Sequence, residues 1–290
     1  MTTTMSTTRE SRLAVKDGTE LFIRDWFTEG QNEGQKAQDP KPSVVIMHGL
    51  GEHCGRYRHI ATFLTSCGFA VRTYDHRGHG QSGGARADIP DSGTIIQDAV
   101  TVIGEFAAQC RSNPILFGHS MGGLFAAHIA TAGLLPLRGL ILSSPALALR
   151  LSKLDRFLLR IMSSVAPHFP IANGLDSSQL SHDRAVALAY DNDPLVHKKI
   201  TASLLSGMLN SIDYAQSHAP VLSIPTLMQV AGQDLLIDPQ GSHDFYDALP
   251  SNLGTAFFYP EMYHEIFNES DKERVFADLK NWLDTRTIVS

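Results

Sequence analysis

The feature that most restricts the fold of this chain is an apolar run that leads through a glycine-rich turn into a helix. Residues 115–117 form the short continuous apolar run that is typical of a buried strand. Residues 118–122 match the pattern Gly-x-Ser-x-Gly, and the small and apolar residues 124–130 continue as a helix. A strand that turns this sharply into a helix needs residues without side chains two positions before and after the serine, because the two elements pass closely. Gly118 and Gly122 occupy those positions, so the pattern predicts a strained strand–turn–helix unit.

Ser120, at this turn, is predicted to be a nucleophile. The helix that begins at Met121 directs backbone N–H groups and its positive end towards the space beside Ser120 Oγ, where an oxyanion would form. The alternative interpretation is an ordinary N-cap serine in a glycine-rich turn. The strand before the turn and the helix after it favour the nucleophile.

Strand patterns and helix patterns alternate along most of the chain. Besides the run at residues 115–117, strands are predicted at residues 44–47, 69–74, 140–142, 225–230 and 255–259. Helices are predicted between them, because apolar residues recur there at spacings of three and four. This alternation predicts an α/β fold with a mostly parallel sheet and helices on both of its faces.

The N-terminal region follows a different pattern. Two apolar runs, residues 13–15 and 21–26, flank Asp17-Gly18 and predict a hairpin of two strands. The first ten residues are polar and are expected to lie outside the fold. Residues 29–42 are also polar and predict a surface loop.

The alternation is interrupted between Leu147 and Ser217, where there is no clear strand pattern, only helical segments and loops. An interruption of this length is too long for an ordinary connection between two elements. We therefore expect a core at residues 11–146, a helical cap inserted at residues 147–217, and a second part of the core at residues 218–288.

Composition restricts the partners and the compartment. A formal net charge of -6 and an isoelectric point of about 6.1 argue against nucleic acid as the main partner. Cys54, Cys67 and Cys110 cannot all pair and form no metal-binding pattern, which fits a reducing compartment. The N-terminus lacks an apolar signal-peptide region, and no apolar run reaches membrane-spanning length. We expect a cytoplasmic protein with no metal and no cofactor, whose contact with membranes is peripheral.

His264 is the predicted base. A serine hydroxyl is a weak nucleophile at neutral pH, so Ser120 needs a histidine base, and the base needs a carboxylate to orient it. In open parallel sheets, catalytic groups lie in loops at the carboxyl ends of strands, and His264 lies just past the predicted strand at residues 255–259. By contrast, His243 lies inside a predicted helix, and His119 is expected to point away from the serine along its strand.

Asp234 is the predicted acid, because it follows the predicted strand at residues 225–230. Asp238 is its rival, but its position before Pro239 makes it a natural N-cap. Asp193 belongs to the insertion and is not preferred.

Two backbone N–H groups are needed for the oxyanion of a tetrahedral intermediate. Met121, the residue after the nucleophile, is one predicted donor. Leu50 is the other, because it follows the strand at residues 44–47 and the glycines beside it let the backbone turn inward. Taken alone, this loop is also compatible with a glycine-rich turn that has no catalytic role.

Several motifs together resemble one known family. They are His48-Gly-Leu-Gly-Glu-His53 followed by Arg56-Tyr57, Asp75-His-Arg-Gly-His-Gly-Gln-Ser82, Gly118-His-Ser-Met-Gly-Gly123, Leu180-Ser-His-Asp183, Asp193-Pro-Leu195, Gly232-Gln-Asp234 and His264-Glu-Ile-Phe-Asn-Glu269. This combination covers nearly the whole chain and resembles the monoacylglycerol lipase/lysophospholipase branch of the α/β-hydrolases.

The resemblance implies the α/β-hydrolase fold, with Ser120, Asp234 and His264 as the catalytic triad, in the chain order expected of that fold. It also implies Leu50 and Met121 as oxyanion donors and a cap at about residues 147–215. The implied reaction is the hydrolysis of single-chain acyl esters, of the monoacylglycerol or lysophospholipid type, through an acyl-enzyme. Leu50 departs from the pattern, since it is bulkier than the small residue often found there, and this affects the expected shape of the acyl pocket.

The insertion begins with an amphipathic helix whose apolar stripe consists of Leu154, Phe157, Leu158, Ile161, Met162 and Val165. One interpretation is that the stripe packs on the domain below. The other is that part of it lines an acyl tunnel and part contacts lipid, with Lys153, Arg156 and Arg160 at the level of the headgroups. On the second interpretation the predicted substrate-binding residues are Leu154, Phe157, Leu158 and Ile161.

Other functions share this fold pattern. Epoxide hydrolases and dehalogenases of the same architecture place Asp at the turn, so Ser120 argues against them. A serine peptidase of the proline-iminopeptidase type would have the same triad and a similar cap. A non-catalytic ligand-binding protein on the same scaffold would not need a complete Ser, Asp and His set.

Overall fold

The structure is a computed structural model that describes residues 6–28 and 40–285. Its strands are β1 Ser6–Ala14, β2 Glu20–Thr28, β3 Ser43–Met47, β4 Ala70–Tyr74, β5 Ile115–His119, β6 Gly139–Ser143, β7 Ile171–Ala172, β8 Lys199–Ile200, β9 Thr226–Ala231 and β10 Gly254–Tyr259. Its α-helices are α1 Arg58–Ser66, α2 Thr94–Cys110, α3 Met121–Thr131, α4 Lys153–Val165, α5 Arg184–Asn192, α6 Ala202–His218, α7 Gln240–Ala248 and α8 Lys272–Thr285.

Eight of these strands form one sheet in the order β1-β2-β4-β3-β5-β6-β9-β10. The six strands from β4 to β10 in this order are parallel to one another, and β1 and β2 are antiparallel additions at one edge. The prediction of a mostly parallel sheet is therefore confirmed. The order of the strands reverses between β3 and β5. In open sheets of this kind, ligands bind in a crevice at the carboxyl ends of the strands where the order reverses.

The central strands are apolar throughout because both faces of the sheet are covered. In β3, Val45 and Met47 pack in a cluster with residues of α2 and α3, whereas Val44 and Ile46 pack in a second cluster with residues of α1 and α8. Every residue of β3 is buried. Burial of each such side chain contributes about 1.5–3 kcal/mol, so the two clusters hold the carboxyl ends of the strands in place.

The N-terminal hairpin is present, with Leu13 paired to Leu21 and a left-handed Gly18 (φ +83) in the turn. The expectation that the first ten residues lie outside the fold is wrong for residues 6–10, because β1 begins at Ser6 and pairs along its whole length with β2. Most of the predicted surface loop at residues 29–42 and the end of the expected core at residues 286–288 lie outside the described residues.

The inserted segment contains α4, α5 and α6, together with β7 and β8, which pair to form a short two-stranded sheet absent from the sequence-based expectation. Its last helix, α6, packs into the main core through Leu204, Met208 and Ala215. The part of the insertion that lies outside the main core therefore ends before α6, earlier than the expected boundary at residue 217. Within the two described ranges, no helix has both the length and the apolar character needed to cross a bilayer.

Candidate active site

Ser120 lies at the sharp turn between β5 and α3, as predicted. Its backbone is in a strained conformation (φ 51, ψ -119), which few residues other than glycine adopt. The turn is held by its neighbours: Ser120 N–H donates to the carbonyl of Ser143 over 3.0 Å, and the carbonyl of Ser120 accepts from Leu124. A Cβ atom on Gly118 would overlap the backbone of Gly122, so the turn requires glycine there.

Asp234 and His264 lie in the loops after β9 and β10, two parallel strands that pair with each other. Asp234 Oδ2 lies 2.6 Å from His264 Nδ1. The other carboxylate oxygen of Asp234 accepts from the backbone N–H groups of Leu236 (3.0 Å) and Ile237 (3.1 Å). Both oxygens of Asp234 are thus occupied, and the imidazole is held with Nε2 as its remaining polar atom.

The electrostatics of this pair favour an ionised carboxylate beside the imidazole. Burial alone would raise the pKa of Asp234, but His264 and the two backbone N–H groups outweigh it and lower that pKa. Burial likewise opposes charge on His264, yet Asp234, Glu265 and Glu52 outweigh it and raise the pKa of His264 above its ordinary value. An imidazole with this environment can accept a proton and keep it while the carboxylate stabilises the charge.

The structure brings four of the predicted catalytic and oxyanion residues around one cavity. Ser120, His264, Leu50 and Met121 all line a cavity of about 300 Å³. Met121 is the first residue of α3, so its N–H has no acceptor within the helix. The rest of the lining is largely apolar and includes residues 149–151, 173–175, 179–180 and 235–237 and two residues of α6. The arrangement is suited to an apolar molecule with one polar reactive group.

Glu52 fixes the loop that carries Leu50. Its Oε1 accepts from Gly49 N–H over 2.6 Å and from the Tyr57 hydroxyl over 2.6 Å. Gly51 in the same loop has a left-handed backbone (φ +78), and its carbonyl accepts from His197 N–H in the inserted segment over 2.8 Å. The loop is therefore held from the core side and from the side of the insertion.

Arg56 connects three parts of the site, a role that the sequence analysis did not identify. Its guanidinium donates to both oxygens of Glu265 (2.6 and 2.8 Å), the residue next to His264, and also to Glu52. The same group lies over the ring of Tyr190 in α5, 5.0 Å from the centroid. Burial would raise the pKa of Glu265, but Arg56 outweighs it and lowers that pKa. The four-residue separation of Glu52 and Arg56 was a signal for one of these pairs, whereas Glu265 is too distant in sequence to have given one.

The orientation of the His119 side chain differs from the one expected, in which it points away from the serine. Its ring lines the cavity and lies 4.8 Å from the ring of His264, centroid to centroid, and its Nδ1 lies 3.0 Å from Ser143 Oγ. Burial, aided by His264, lowers the pKa of His119 to about 4, so the imidazole is neutral at physiological pH. A neutral ring packs beside His264 without adding a competing charge.

Three residues that were not preferred as base or acid lie outside the cavity. His243 is in α7 and stacks on Phe258 with centroids 4.0 Å apart. Asp238 precedes α7, where its Oδ1 accepts from Gln240 N–H over 3.2 Å. Asp193 pairs with His53 over 2.8 Å. None of these three lines the cavity around Ser120.

The four predicted substrate-binding residues do not line the cavity, and this expectation is corrected. Their side chains in α4 are exposed: Leu154 63%, Phe157 60%, Leu158 48% and Ile161 44%. A capping box in which Ser152 and Asp155 exchange hydrogen bonds fixes the start of α4, and no residue of the helix is buried. The apolar stripe is directed outward, so it neither forms the cavity wall nor packs wholly on the domain below.

Among the described residues there is no group of three or more His, Cys, Asp and Glu side chains placed to hold a metal ion.

Comparison with known proteins gives matches over most of the chain. Residues 38–271 match the Hydrolase_4 family, described as serine aminopeptidase, S33. The chain is 34% identical over 251 residues to a monoacylglycerol lipase of Mycolicibacterium smegmatis, covering 84% of this chain and 89% of the relative. It is 30% identical over 288 residues to the monoglyceride lipase of Rattus norvegicus, covering 96% and 91%. Among solved structures, a monoacylglycerol lipase of Paleococcus ferrophilus superimposes with a TM-score of 0.80 at 29% identity, covering 92% of this chain and 100% of that one.

Proposed function

Because this chain belongs to the Hydrolase_4 (serine aminopeptidase, S33) family of α/β-hydrolases and is a serine ester hydrolase, we propose that it cleaves single-chain acyl esters of the monoacylglycerol or lysophospholipid type. The observation that carries this proposal is that His264, which pairs with Asp234, lines the same cavity as Ser120. The relatives named as monoacylglycerol lipases support the same substrate class.

We propose a mechanism in which Ser120 Oγ attacks the ester carbonyl carbon while His264 Nε2 accepts the hydroxyl proton. Asp234 holds the imidazole through Nδ1 and stabilises its positive charge. The backbone N–H groups of Leu50 and Met121 donate to the oxyanion that develops on the carbonyl oxygen. His264 then gives its proton to the departing alcohol, which leaves an acyl-enzyme on Ser120. Water activated by His264 hydrolyses this ester and releases the fatty acid.

A peptidase activity is the second candidate, because the matching family is described as a serine aminopeptidase. An aminopeptidase must bind the free ammonium group of its substrate, and a carboxylate in the cavity is the natural partner. The carboxylates that line this cavity, Glu52 and Glu265, both already accept from Arg56. Taking either from that pair would leave charge buried without a partner, which is costly. The site therefore favours acyl esters that lack a free amino group.

The outward apolar stripe of α4 supports a proposal for how the substrate arrives. Phe157 and Leu154 are exposed, and Lys153, Arg156 and Arg160 are exposed on the same helix. An exposed apolar face bordered by basic side chains is typical of a helix that lies in the membrane interface. Leu151, two residues before the first residue of α4, lines the cavity. We propose that α4 rests on the lipid surface and that the cap, residues 147 to about 200, guides a lipid from there into the cavity.

A panel of substrates tests the proposed function. It consists of monoacylglycerols, lysophospholipids, nitrophenyl esters of increasing chain length and aminoacyl-arylamides. We expect hydrolysis of the first three classes, with kcat/KM for the nitrophenyl esters rising about fourfold per methylene until the cavity is full, since each buried methylene contributes about 0.8 kcal/mol. Preferential hydrolysis of the arylamides would overturn the ester assignment in favour of the peptidase.

A further inference from the structure

The cavity around Ser120 is lined by both acidic and basic side chains. Glu52 and Glu265 share the single guanidinium of Arg56, so this cluster holds two carboxylates and one cation. Arg150 is the only arginine or lysine among the described residues that line the cavity. An anionic group in the cavity therefore has one lining cation with which to pair.

Arg150 is fixed near the triad but keeps its charge unpaired. Its Nη2 donates to the backbone carbonyl of Asp234 over 2.9 Å. It makes no ion pair with any of the described carboxylates, in contrast to Arg56. The side chain is exposed and also lines the cavity, so it lies where the cavity opens to solvent. Its neighbours Leu149 and Leu151 also line the cavity, so an apolar acyl ester in the cavity passes close to the guanidinium.

We propose that Arg150 is a specificity-determining residue that binds an anionic phosphate on the alcohol part of the substrate. This inference rests on the proposed function, and it selects acyl esters with a phosphate group, such as lysophosphatidic acid, over neutral acylglycerols. A guanidinium with free N–H groups binds phosphate through charge-assisted hydrogen bonds, often in pairs.

The placement agrees with the chemistry of the departing alcohol. His264 must give its proton to that alcohol, and Arg150 is bonded to the backbone of the residue that holds His264. Phosphate on the departing alcohol would therefore pair with the guanidinium of Arg150. Contact of phosphate with Glu52 or Glu265 would instead place like charges together, which disfavours it.

The test compares 1-hexanoylglycerol with 1-hexanoylglycerol 3-phosphate, which are short enough to remain dissolved, so that contact with a lipid surface does not contribute. For each variant the measured quantity is the ratio of kcat/KM for the phosphate ester to kcat/KM for the neutral ester. A general loss of activity, such as one caused by losing the bond to Asp234, cancels in this ratio.

We expect the wild-type protein to hydrolyse both esters and Arg150→Met to lower the ratio about tenfold, the size of one charge-assisted contact that is partly exposed. Arg150→Lys retains most of the ratio, and higher salt moves the wild-type ratio towards the Arg150→Met value. Arg184→Met is the matched control, because Arg184 is an exposed arginine at the start of α5 that does not line the cavity. Its ratio should equal that of the wild type.

Two results would overturn the inference. An unchanged ratio in Arg150→Met, with both esters hydrolysed, would show that Arg150 only tethers the chain to the loop of Asp234. Hydrolysis of the neutral ester alone by the wild-type protein would show that the phosphate is rejected. The proposed function itself fails differently, since in that case the wild-type protein would hydrolyse neither ester.

Discussion

The carboxyl ends of the central strands and the helix α4 both have strong sequence patterns. The residues at the strand ends are buried, whereas the apolar residues of α4 are exposed. Asp234 and His264 are buried and bonded to each other, with partners that leave little freedom. In α4, Leu154 and Phe157 are 63% and 60% exposed. A motif that requires a particular backbone determines its own surroundings, whereas an amphipathic stripe shows that one face is apolar and leaves open what covers it. We call the loops that carry Ser120, Asp234 and His264 the catalytic end, and the exposed apolar stripe of α4 the cap face. The two regions should respond differently to substitution.

The largest effect is expected at the catalytic end, from Asp234→Asn. The amide cannot stabilise the imidazolium and can favour the wrong tautomer of His264, so kcat should fall by about 10⁴. Asp238→Asn is the matched control. Asp238 Oδ1 accepts from Gln240 N–H at the start of α7, and Asp238 does not line the cavity. Initial rates on a medium-chain nitrophenyl ester would measure both. A greater loss in Asp238→Asn would mean that the other aspartate is the acid.

The next largest effect concerns stability and compares a partly buried arginine with an exposed one. Arg56→Met leaves Glu52 and Glu265 buried without their cation, so the free energy of unfolding should fall by about 3–5 kcal/mol. Arg156→Met in α4 should change it by less than about 0.5 kcal/mol, because Arg156 is exposed. Urea unfolding would measure both variants.

A second substitution shows whether the loss of stability in Arg56→Met comes from buried charge. Adding Glu265→Gln to Arg56→Met removes one of the stranded carboxylates and should recover part of the lost stability. If the double variant is no more stable than Arg56→Met, the loss comes from missing contacts of the arginine stem rather than from buried charge.

These two regions also show how much of the molecule the sequence could predict. The strand–turn–helix around Ser120, the alternation of elements and the position of Asp234 and His264 in loops after strands follow from local patterns, because each depends on neighbours in the sequence. The bridge from Arg56 to Glu265 joins residues more than 200 positions apart, and no local pattern marks it. The orientation of His119 was missed for the same reason, since it depends on Ser143 and His264 rather than on its own strand.

The contacts of the cap were harder to predict from the sequence than those of the catalytic residues. The stripe of α4 was identified, but the periodicity of a helix carries no information about which neighbour it faces. The cavity lining that the stripe was expected to supply comes instead from irregular segments such as residues 149–151 and 235–237. Irregular segments have no period, so their contacts cannot be predicted from the sequence alone. The packing of α6 into the core was obscured because a cap helix and a core helix have the same spacing of apolar residues.

A smaller effect is expected in the pH dependence of the catalytic end. His264 must be neutral to act as a base, and Asp234 raises its pKa, so kcat/KM should fall tenfold per pH unit below a midpoint that lies above the ordinary value of 6.5. Asp234→Asn removes the main cause of this rise, and the midpoint should move to lower pH in its residual activity. A midpoint that stays in place in Asp234→Asn would contradict the coupling between the two residues.

The smallest effect on the fold is expected from the cap face. Phe157→Asp should leave the melting temperature and the hydrolysis of a dissolved short-chain ester unchanged, because the side chain is 60% exposed and lies outside the cavity. Binding to anionic vesicles, followed by sedimentation, should weaken about tenfold or more, since one large apolar side chain no longer enters the lipid. Equal impairment on dissolved and vesicle-bound esters, with a lower melting temperature, would show that the stripe is packed in solution.

The most direct test of the catalytic proposal is covalent labelling with a fluorophosphonate, which reacts with an activated serine nucleophile. We expect one adduct on the peptide that contains Ser120, no adduct in Ser120→Ala, and loss of nearly all ester hydrolysis in that variant while its fold is retained. Labelling at another residue, or near wild-type hydrolysis by Ser120→Ala, would contradict the assignment of Ser120 as the nucleophile.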